Sequence, residues 1–154
     1  MDETSSMSDN DSRVVRRSKL IHAEPEVIFE LLADPAKHPE LDGSGSVQKA
    51  RGNPERLSLG ATFGMDMKIG LPYRITNEVV EFTEDRRIAW RHFGGHIWRW
   101  ILEPVEGDTQ VTEEFEWGTS KAPFVLKLIQ APKRNAAAIE ATLDRLEKRY
   151  APTP

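Results

Sequence analysis

Apolar and polar residues alternate along the middle of the chain. Between positions 62 and 69, Phe63, Met65 and Met67 are separated by polar or small residues, and this period of two predicts a strand with one buried face. Similar segments recur, separated by short turns that include Gly70-Leu71-Pro72. The predicted strands are Val14–His22, Ser46–Arg51, Thr62–Ile69, Tyr73–Phe82, Arg87–His92, His96–Glu103 and Thr109–Trp117. Short strands joined by tight turns are typical of an antiparallel sheet.

Other segments have the period of a helix. After the first strand, Pro25 and Glu26 favour a helix start, Asp34-Pro35 ends that helix, and residues 35–41 are long enough for a second short helical turn. Near the C-terminus, apolar residues recur every three or four positions and predict a long helix. Pro132 lies in this stripe and must either kink the helix or mark a short helix that runs into a long one. The stripe consists of Leu128, Pro132, Asn135, Ile139, Leu143, Leu146 and Tyr150.

The order of elements predicts an α+β fold, with helices on one face of a single sheet. A chain of 154 residues is the length of one domain. We expect residues 1–12 to be a disordered acidic tail, because they hold four acidic residues and no basic one. Residues 13–150 then form the domain.

Composition excludes several classes of function. The chain has no cysteine, which removes disulfides, thiolate nucleophiles and cysteine-based metal sites. Beyond the tail, 21 basic residues face 25 − 4 = 21 acidic ones, so no net basic excess favours nucleic acid or gives bulk attraction to anionic lipid. No apolar run reaches the ~20 residues of a transmembrane helix, and the N-terminus lacks a signal-peptide pattern. We therefore expect a cytoplasmic protein without integral membrane association.

The segment 88–102 predicts a hairpin whose register decides which residues face the interior. A loop of two or four residues would pair Phe93 with His96 and mix arginine with tryptophan on each face. A three-residue loop centred on Gly94 would instead pair His92 with His96. We favour this register because it places arginine and tryptophan on opposite faces, whereas a slip of one residue would mix them again. One face then carries Trp90, Trp98 and Trp100, and the other carries Arg91 and Arg99.

Several segments carry a family resemblance. They are IHAEPEVIF (21–29), LADPAKHPELD (32–42), RRIAWR (86–91), WRWILEP (98–104) and GDTQVTE (107–113). Over about residues 13–150 the chain resembles the START-like or Bet v 1-like (SRPBCC) superfamily, and most of all its polyketide cyclase/dehydrase-type branch, whose members often have Trp where Leu41 stands. The resemblance implies a helix-grip fold, in which a curved antiparallel sheet of about seven strands wraps the C-terminal helix around a cavity for hydrophobic molecules. It implies no shared catalytic motif.

Polar residues on apolar faces are the most informative candidates for chemistry. Glu113 lies in an apolar row, where burial would raise its pKa unless it pairs with His92, with His96, or with an arginine in the other hairpin register; the alternative is a solvated position at a strand edge. Asn77 and Asn135 also lie on apolar faces and need hydrogen-bond partners. The predicted cavity residues, which double as core, are Phe63, Met65, Met67, Tyr73, Ile75, Asn77, Trp90, Trp98, Trp100, Glu113, Phe115, Trp117, Asn135 and Ile139.

Three functions fit this pattern. The first is a protein that binds a hydrophobic, aromatic, polyketide-like or lipid-like molecule in the cavity. The second is an enzyme of the cyclase or dehydratase kind, with Glu113, His92 or His96 as general acid or base. The third is a protein–protein module, which needs an exposed apolar patch and a filled core. We expect no cofactor, no metal site at His92, His96 and Glu113, and a monomer or weak homodimer.

Overall fold

The computed structural model describes residues 12–52 and 55–152, which form one seven-stranded antiparallel sheet and its helices. The strands lie in the order β1-β7-β6-β5-β4-β3-β2. They are β1 Val14–Ile21, β2 Val47–Ala50, β3 Thr62–Ile69, β4 Leu71–Thr83, β5 Arg87–His92, β6 Ile97–Val105 and β7 Asp108–Glu116. The helices are α1 Pro25–Ala33, a 3₁₀ turn Pro35–Lys37, α2 His38–Leu41, α3 Pro123–Leu128 and α4 Ala131–Arg149. This arrangement is the predicted α+β helix-grip fold; the predicted tail, apart from Ser12, lies outside the described residues.

The hairpin between β3 and β4 is tighter than its sequence suggests. The prediction that Gly70-Leu71-Pro72 forms the turn is wrong, because Leu71 pairs with Ile69 and Pro72 pairs with Lys68. Gly70 alone reverses the chain, with φ of +74°, a conformation that glycine adopts without a steric penalty. Both strands therefore run to the very tip of the hairpin.

The turn between β5 and β6 has the favoured three-residue register. Trp90 pairs with Trp98, and the backbone N–H of His92 donates to the carbonyl of His96 at 2.9 Å. Gly95 has φ of +101°, and a Cβ there would lie 2.6 Å from the carbonyl oxygen of Thr119. The turn thus needs glycine both for its backbone conformation and for its close contact with the chain after β7.

The C-terminal stripe divides at Pro132 into a short helix and a long one. Gln130 is in the left-handed conformation between them, and Pro132 lies in the first turn of α4, where its missing N–H costs nothing. Ile139, Leu143 and Leu146 are buried as predicted, because α4 packs on β1 and β7. Leu128 lies in α3 and is 71% exposed, so its assignment to the buried stripe is wrong.

An ion cluster joins the strands on the outer face of the sheet. The guanidinium of Arg99 donates to Glu81 on β4 at 2.7 Å, and to Glu114 and Glu116 on β7 at 2.8 and 3.0 Å. Hydrogen bonds from Arg99 are the main cause that lowers the pKa of Glu81 to about 2. Along β6, Arg99 alternates with Trp98 and Trp100, whose side chains lie on the inner face of the sheet. The ion cluster therefore bonds β6 to its neighbours on the outer face, opposite these tryptophans.

Candidate ligand cavity between the sheet and the C-terminal helix

A cavity of about 140 Å³ lies between the inner face of the sheet, helix α4 and the loop that follows α2. Its wall combines aromatic and aliphatic side chains with a small set of polar groups, the usual composition of a small-molecule site. The wall is formed by His38, Leu41, Asp42, Ser44, Ser46, Val47, Phe63, Met65, Met67, Ile75, Asn77, Trp90, Trp98, Trp100, Glu113, Asn135, Ala138, Ile139 and Thr142.

All but three of the predicted cavity residues lie in this wall. Tyr73 is on the same face of β4, but it is 40% exposed and lies nearer the hairpin tip. Phe115 and Trp117 are fully buried in the core, where the ring of Phe115 packs against Trp98 with centroids 4.8 Å apart. The period of two placed these residues on the correct face but could not say how far along each strand the cavity extends.

Glu113 is the most unusual group in the wall. It is buried, and its Oε1 atom has no hydrogen-bond partner among the described residues. Burial raises the pKa of Glu113 well above its usual value, and the charge of Asp42 adds to this rise. The environment therefore favours the neutral carboxylic acid, which can donate a hydrogen bond.

The histidines that were predicted to meet Glu113 lie elsewhere. His92 and His96 flank the β5–β6 turn with their rings stacked 4.2 Å apart, and Nδ1 of His92 accepts from the N–H of Gly94 at 2.9 Å. Burial, and secondarily the neighbouring His92, lowers the pKa of His96 to about 4. Neither ring is part of the cavity wall. The prediction that His92 or His96 pairs with Glu113 or acts beside it is therefore wrong.

The histidine in the wall is His38, which was not among the predicted cavity residues. Its Nε2–H donates to the carbonyl of Leu32 at 2.8 Å, while its ring stacks on Trp90 at 4.9 Å and meets the edge of Phe63 at 5.6 Å. Burial lowers the pKa of His38, so the ring is held neutral with Nδ1 as an acceptor. Its spacing of three from the buried residues Pro35 and Leu41 is the signal that could have identified it.

Asn77 gives the cavity a second unpaired oxygen. It is 4% exposed, and its Oδ1 has no hydrogen-bond partner among the described residues. Across that part of the chain, only one other buried side-chain nitrogen or oxygen, Nε1 of Trp117, is also unpaired. Buried polar atoms are almost always hydrogen-bonded, because leaving one unpaired costs about 1–3 kcal/mol. Two such atoms in one wall leave hydrogen-bonding capacity that no described residue satisfies.

The loop after α2 closes one side of the cavity against α4. The N–H of Gly43 donates to Oγ1 of Thr142 at 2.9 Å, and that hydroxyl donates to the carbonyl of Ala138 at 3.0 Å. A Cβ at position 43 would lie 2.5 Å from the backbone carbon of Ala141, so only glycine allows this approach. The contact fixes Asp42 and the serines that follow it as a polar border of the cavity.

Among the described residues, no group of three histidine, aspartate or glutamate side chains is arranged to hold a metal ion. No helix of the same ranges is long and apolar enough to cross a membrane.

Comparison with known proteins supports the assignment of the fold. The uncharacterized protein Rv0088 of Mycobacterium tuberculosis is 42% identical over 146 residues, a match that covers 89% of this chain and 64% of the relative. The chain thus spans less than two thirds of that relative's length. A solved structure from Arthrobacter aurescens has a TM-score of 0.72 at 12% identity and covers 92% of this chain and 87% of its own.

A second solved structure is the polyketide-cyclase-like protein Cgl2372 of Corynebacterium glutamicum. Its TM-score is 0.61 at 21% identity, with 88% of this chain and 90% of that chain covered. At these identities both structures show the fold alone. A profile of the family described as polyketide cyclase / dehydrase and lipid transport matches residues 12–151. The chain therefore belongs to the polyketide cyclase / dehydrase and lipid transport family of the START-like (SRPBCC) superfamily.

Proposed function

We propose that the protein binds a small, uncharged, largely apolar molecule that carries a carbonyl or hydroxyl group, in the cavity between the sheet and α4. The observation that carries this proposal is the pair of unpaired buried oxygens, Oδ1 of Asn77 and Oε1 of Glu113, in a wall that is otherwise mostly apolar. A neutral Glu113 can donate to a ligand oxygen, and Asn77 can accept from a ligand hydroxyl.

The volume of the cavity limits the size of the ligand. A cavity of about 140 Å³ is close to the roughly 150 Å³ of an engineered apolar cavity that holds benzene. Aromatic side chains surround it, with Trp90 edge-on to Phe63 at 5.4 Å, and such rings pack well against another ring. One aromatic ring, or a segment of similar size from a longer polyketide-like or lipid-like molecule, fits this space.

The charge of the wall selects against anions. The described wall includes Glu113 and Asp42 but contains no lysine or arginine. A carboxylate ligand would therefore lose its hydration without gaining a counter-charge, which is costly in an apolar site. A neutral ketone of the same shape has no charge to desolvate.

Titration of the protein with acetophenone and with benzoate tests the proposal, because the two probes share a ring and differ in charge. Acetophenone should quench the fluorescence of the tryptophans in the wall and saturate, whereas benzoate should bind at least about tenfold more weakly. Equal affinity for the two probes, or quenching that rises linearly without saturation, would contradict the proposal.

A second candidate function is acid–base catalysis on such a ligand. His38, held neutral, has a free acceptor nitrogen, and Glu113, favoured as the neutral acid, has a proton to donate, so one cavity contains both a base and an acid. Removal of an α-proton by His38 while Glu113 protonates the carbonyl would convert a bound ketone to its enol, a step common to cyclisation and dehydration. In deuterated water, acetophenone should then exchange its methyl protons faster with the protein than without it, as followed by NMR.

A protein–protein module is the least supported of the three hypotheses. It requires a filled core, whereas the core of this protein contains a cavity with unpaired polar atoms. If neither probe binds, this hypothesis becomes the leading one.

A further inference from the structure

Exposed apolar side chains are concentrated at one end of the molecule. At the tip of the β3–β4 hairpin, Leu71 is 79% exposed and Ile69 is 60% exposed, and on α3 Phe124 and Leu128 are 75% and 71% exposed. Single exposed apolar residues are normal, but a cluster of large ones marks an interaction site. We call this set the rim patch; it consists of Ile69, Leu71, Phe124, Val125, Leu128 and Ile129.

The β3–β4 hairpin tip and α3 lie at the same end of the sheet. The N–H of Phe93 donates to Thr76 of β4 at 3.1 Å, and the N–H of Lys121, two residues before α3, donates to Gly94 of the same turn at 2.8 Å. Beyond α3, the charge of Arg134 in the first turn of α4 acts on the phenol of Tyr73. The two hydrogen bonds place the segment that leads into α3 beside the β5–β6 turn, and that turn beside β4.

The rim patch continues the apolar face that lines the cavity. Along β4, side chains on this face pass from buried Asn77 through partly buried Ile75 to the exposed Tyr73 and Leu71 near the tip. On β3 the same change runs from Met65, which lines the cavity, to Ile69. An apolar molecule that leaves the cavity in this direction meets apolar side chains up to the surface.

The two segments that carry the rim patch are rich in basic residues, although Asp66 lies opposite Arg74 in the β3–β4 pair and the charge of Asp42 acts on Tyr73. From position 117 to position 139 there are four basic residues and no acidic one, and from 67 to 77 there are two basic residues and no acidic one. The balance of charge over the whole domain averages out this local excess, so the neutral net charge does not by itself decide how this end of the molecule interacts with anionic lipid. The basic residues are Lys68, Arg74, Lys121, Lys127, Lys133 and Arg134.

We propose that the rim patch is a peripheral docking site for an anionic phospholipid surface. The patch combines lysines with apolar side chains that project from a hairpin tip and a short helix. On such a membrane the lysines contact the lipid phosphates, and the apolar side chains enter the boundary between headgroups and acyl chains. This docking brings the apolar face that leads from the cavity against the bilayer. The proposal does not depend on the identity of the cavity ligand.

Sedimentation with lipid vesicles tests this proposal on the full chain. The protein should pellet with vesicles of equal parts phosphatidylcholine and phosphatidylglycerol, should remain in solution with phosphatidylcholine alone, and should dissociate in high salt. Leu71→Ser and Leu128→Ser should each weaken partitioning about tenfold, since each removes an inserted apolar side chain. Lys127→Gln should weaken partitioning about fivefold.

Matched controls lie far from the rim patch. Leu59 is 67% exposed and precedes β3 at the end opposite the hairpin tip, so Leu59→Ser should bind vesicles like the wild type. Lys148→Gln, at the other end of α4, should also leave partitioning unchanged. All these side chains are exposed, so the variants should keep the wild-type melting temperature.

Three results would overturn the proposal. One is equal binding to neutral and anionic vesicles. Another is full binding by Leu71→Ser and Leu128→Ser, which would show adsorption by charge alone. The third is binding to polyglutamate or duplex DNA without binding to vesicles, which would assign the patch to an acidic macromolecule.

Discussion

Arg99→Met is expected to lower the free energy of unfolding by about 3 kcal/mol at neutral pH, because it leaves carboxylates in a buried cluster without their shared cation. The side chain of Glu114 is 5% exposed, so water cannot replace the lost bond. We place the effect at the low end of the range for buried pairs because Arg16 still bonds Glu114 and because Glu81 and Glu116 are partly solvated. Urea unfolding measures the difference.

The effect of Arg99→Met should depend on pH in a defined direction. The pKa of Glu81 is depressed to about 2, so the stability it contributes is present above its ordinary pKa and is lost as the pH falls towards 2. The difference between wild type and variant should therefore shrink as the solution is acidified. Arg87→Ala is the matched control: Arg87 bonds the same carboxylate but is 44% exposed, so its loss should cost less than about 1 kcal/mol. Equal losses for both variants would contradict this interpretation.

Glu113→Gln is expected to stabilise the protein at alkaline pH while removing any acid catalysis. Burial raises the pKa of Glu113 above its ordinary value of 4.5, so the native state retains a proton that the unfolded state releases. Wild-type stability is then highest below 4.5 and falls, by about 1.4 kcal/mol per pH unit, until the pH reaches the folded pKa. Glutamine does not titrate, so the variant should lack this decline. Urea unfolding across a pH series measures it.

The same variant separates binding from catalysis. It should retain binding of acetophenone, because the amide can still donate a hydrogen bond, but deuterium exchange into bound acetophenone should fall by about 10²–10⁴-fold if Glu113 is the acid. Glu103→Gln, at an exposed position on β6, should change neither stability nor exchange. A loss of stability for Glu113→Gln at every pH would instead show that the carboxylate is ionised and paired.

Residue periodicity was sufficient to predict most of this fold. Alternation along β3 and β4 placed Phe63, Met65 and Asn77 on one face, and that face lines the cavity, because a strand turns each successive side chain to the opposite side. The separation of arginine from tryptophan gave the register of the β5–β6 hairpin for the same reason. Glu113 was identified from its position in an apolar row alone.

Features fixed by contacts between distant segments could not be predicted in this way. The spacing of His38 from Pro35 and Leu41 indicates that it is buried, but its stacking on Trp90 depends on a strand about fifty residues away in sequence. The ion cluster that bonds Arg99 to β4 and β7 depends on the order of the strands in the sheet. The rim patch combines the β3–β4 tip with α3, which are about fifty residues apart in sequence and which only the fold places at the same end of the sheet.

Binding of acetophenone to two alanine variants of α4 is the most direct test of the cavity. Ala138 lines the cavity, whereas its neighbour Ala137 is exposed, so Ala138→Phe fills the space with a ring and Ala137→Phe adds the same ring outside it. Saturable quenching by acetophenone should be lost in Ala138→Phe and kept in Ala137→Phe, with both variants folded by circular dichroism. Undiminished binding to Ala138→Phe would contradict the account, because the probe would then bind somewhere other than this cavity.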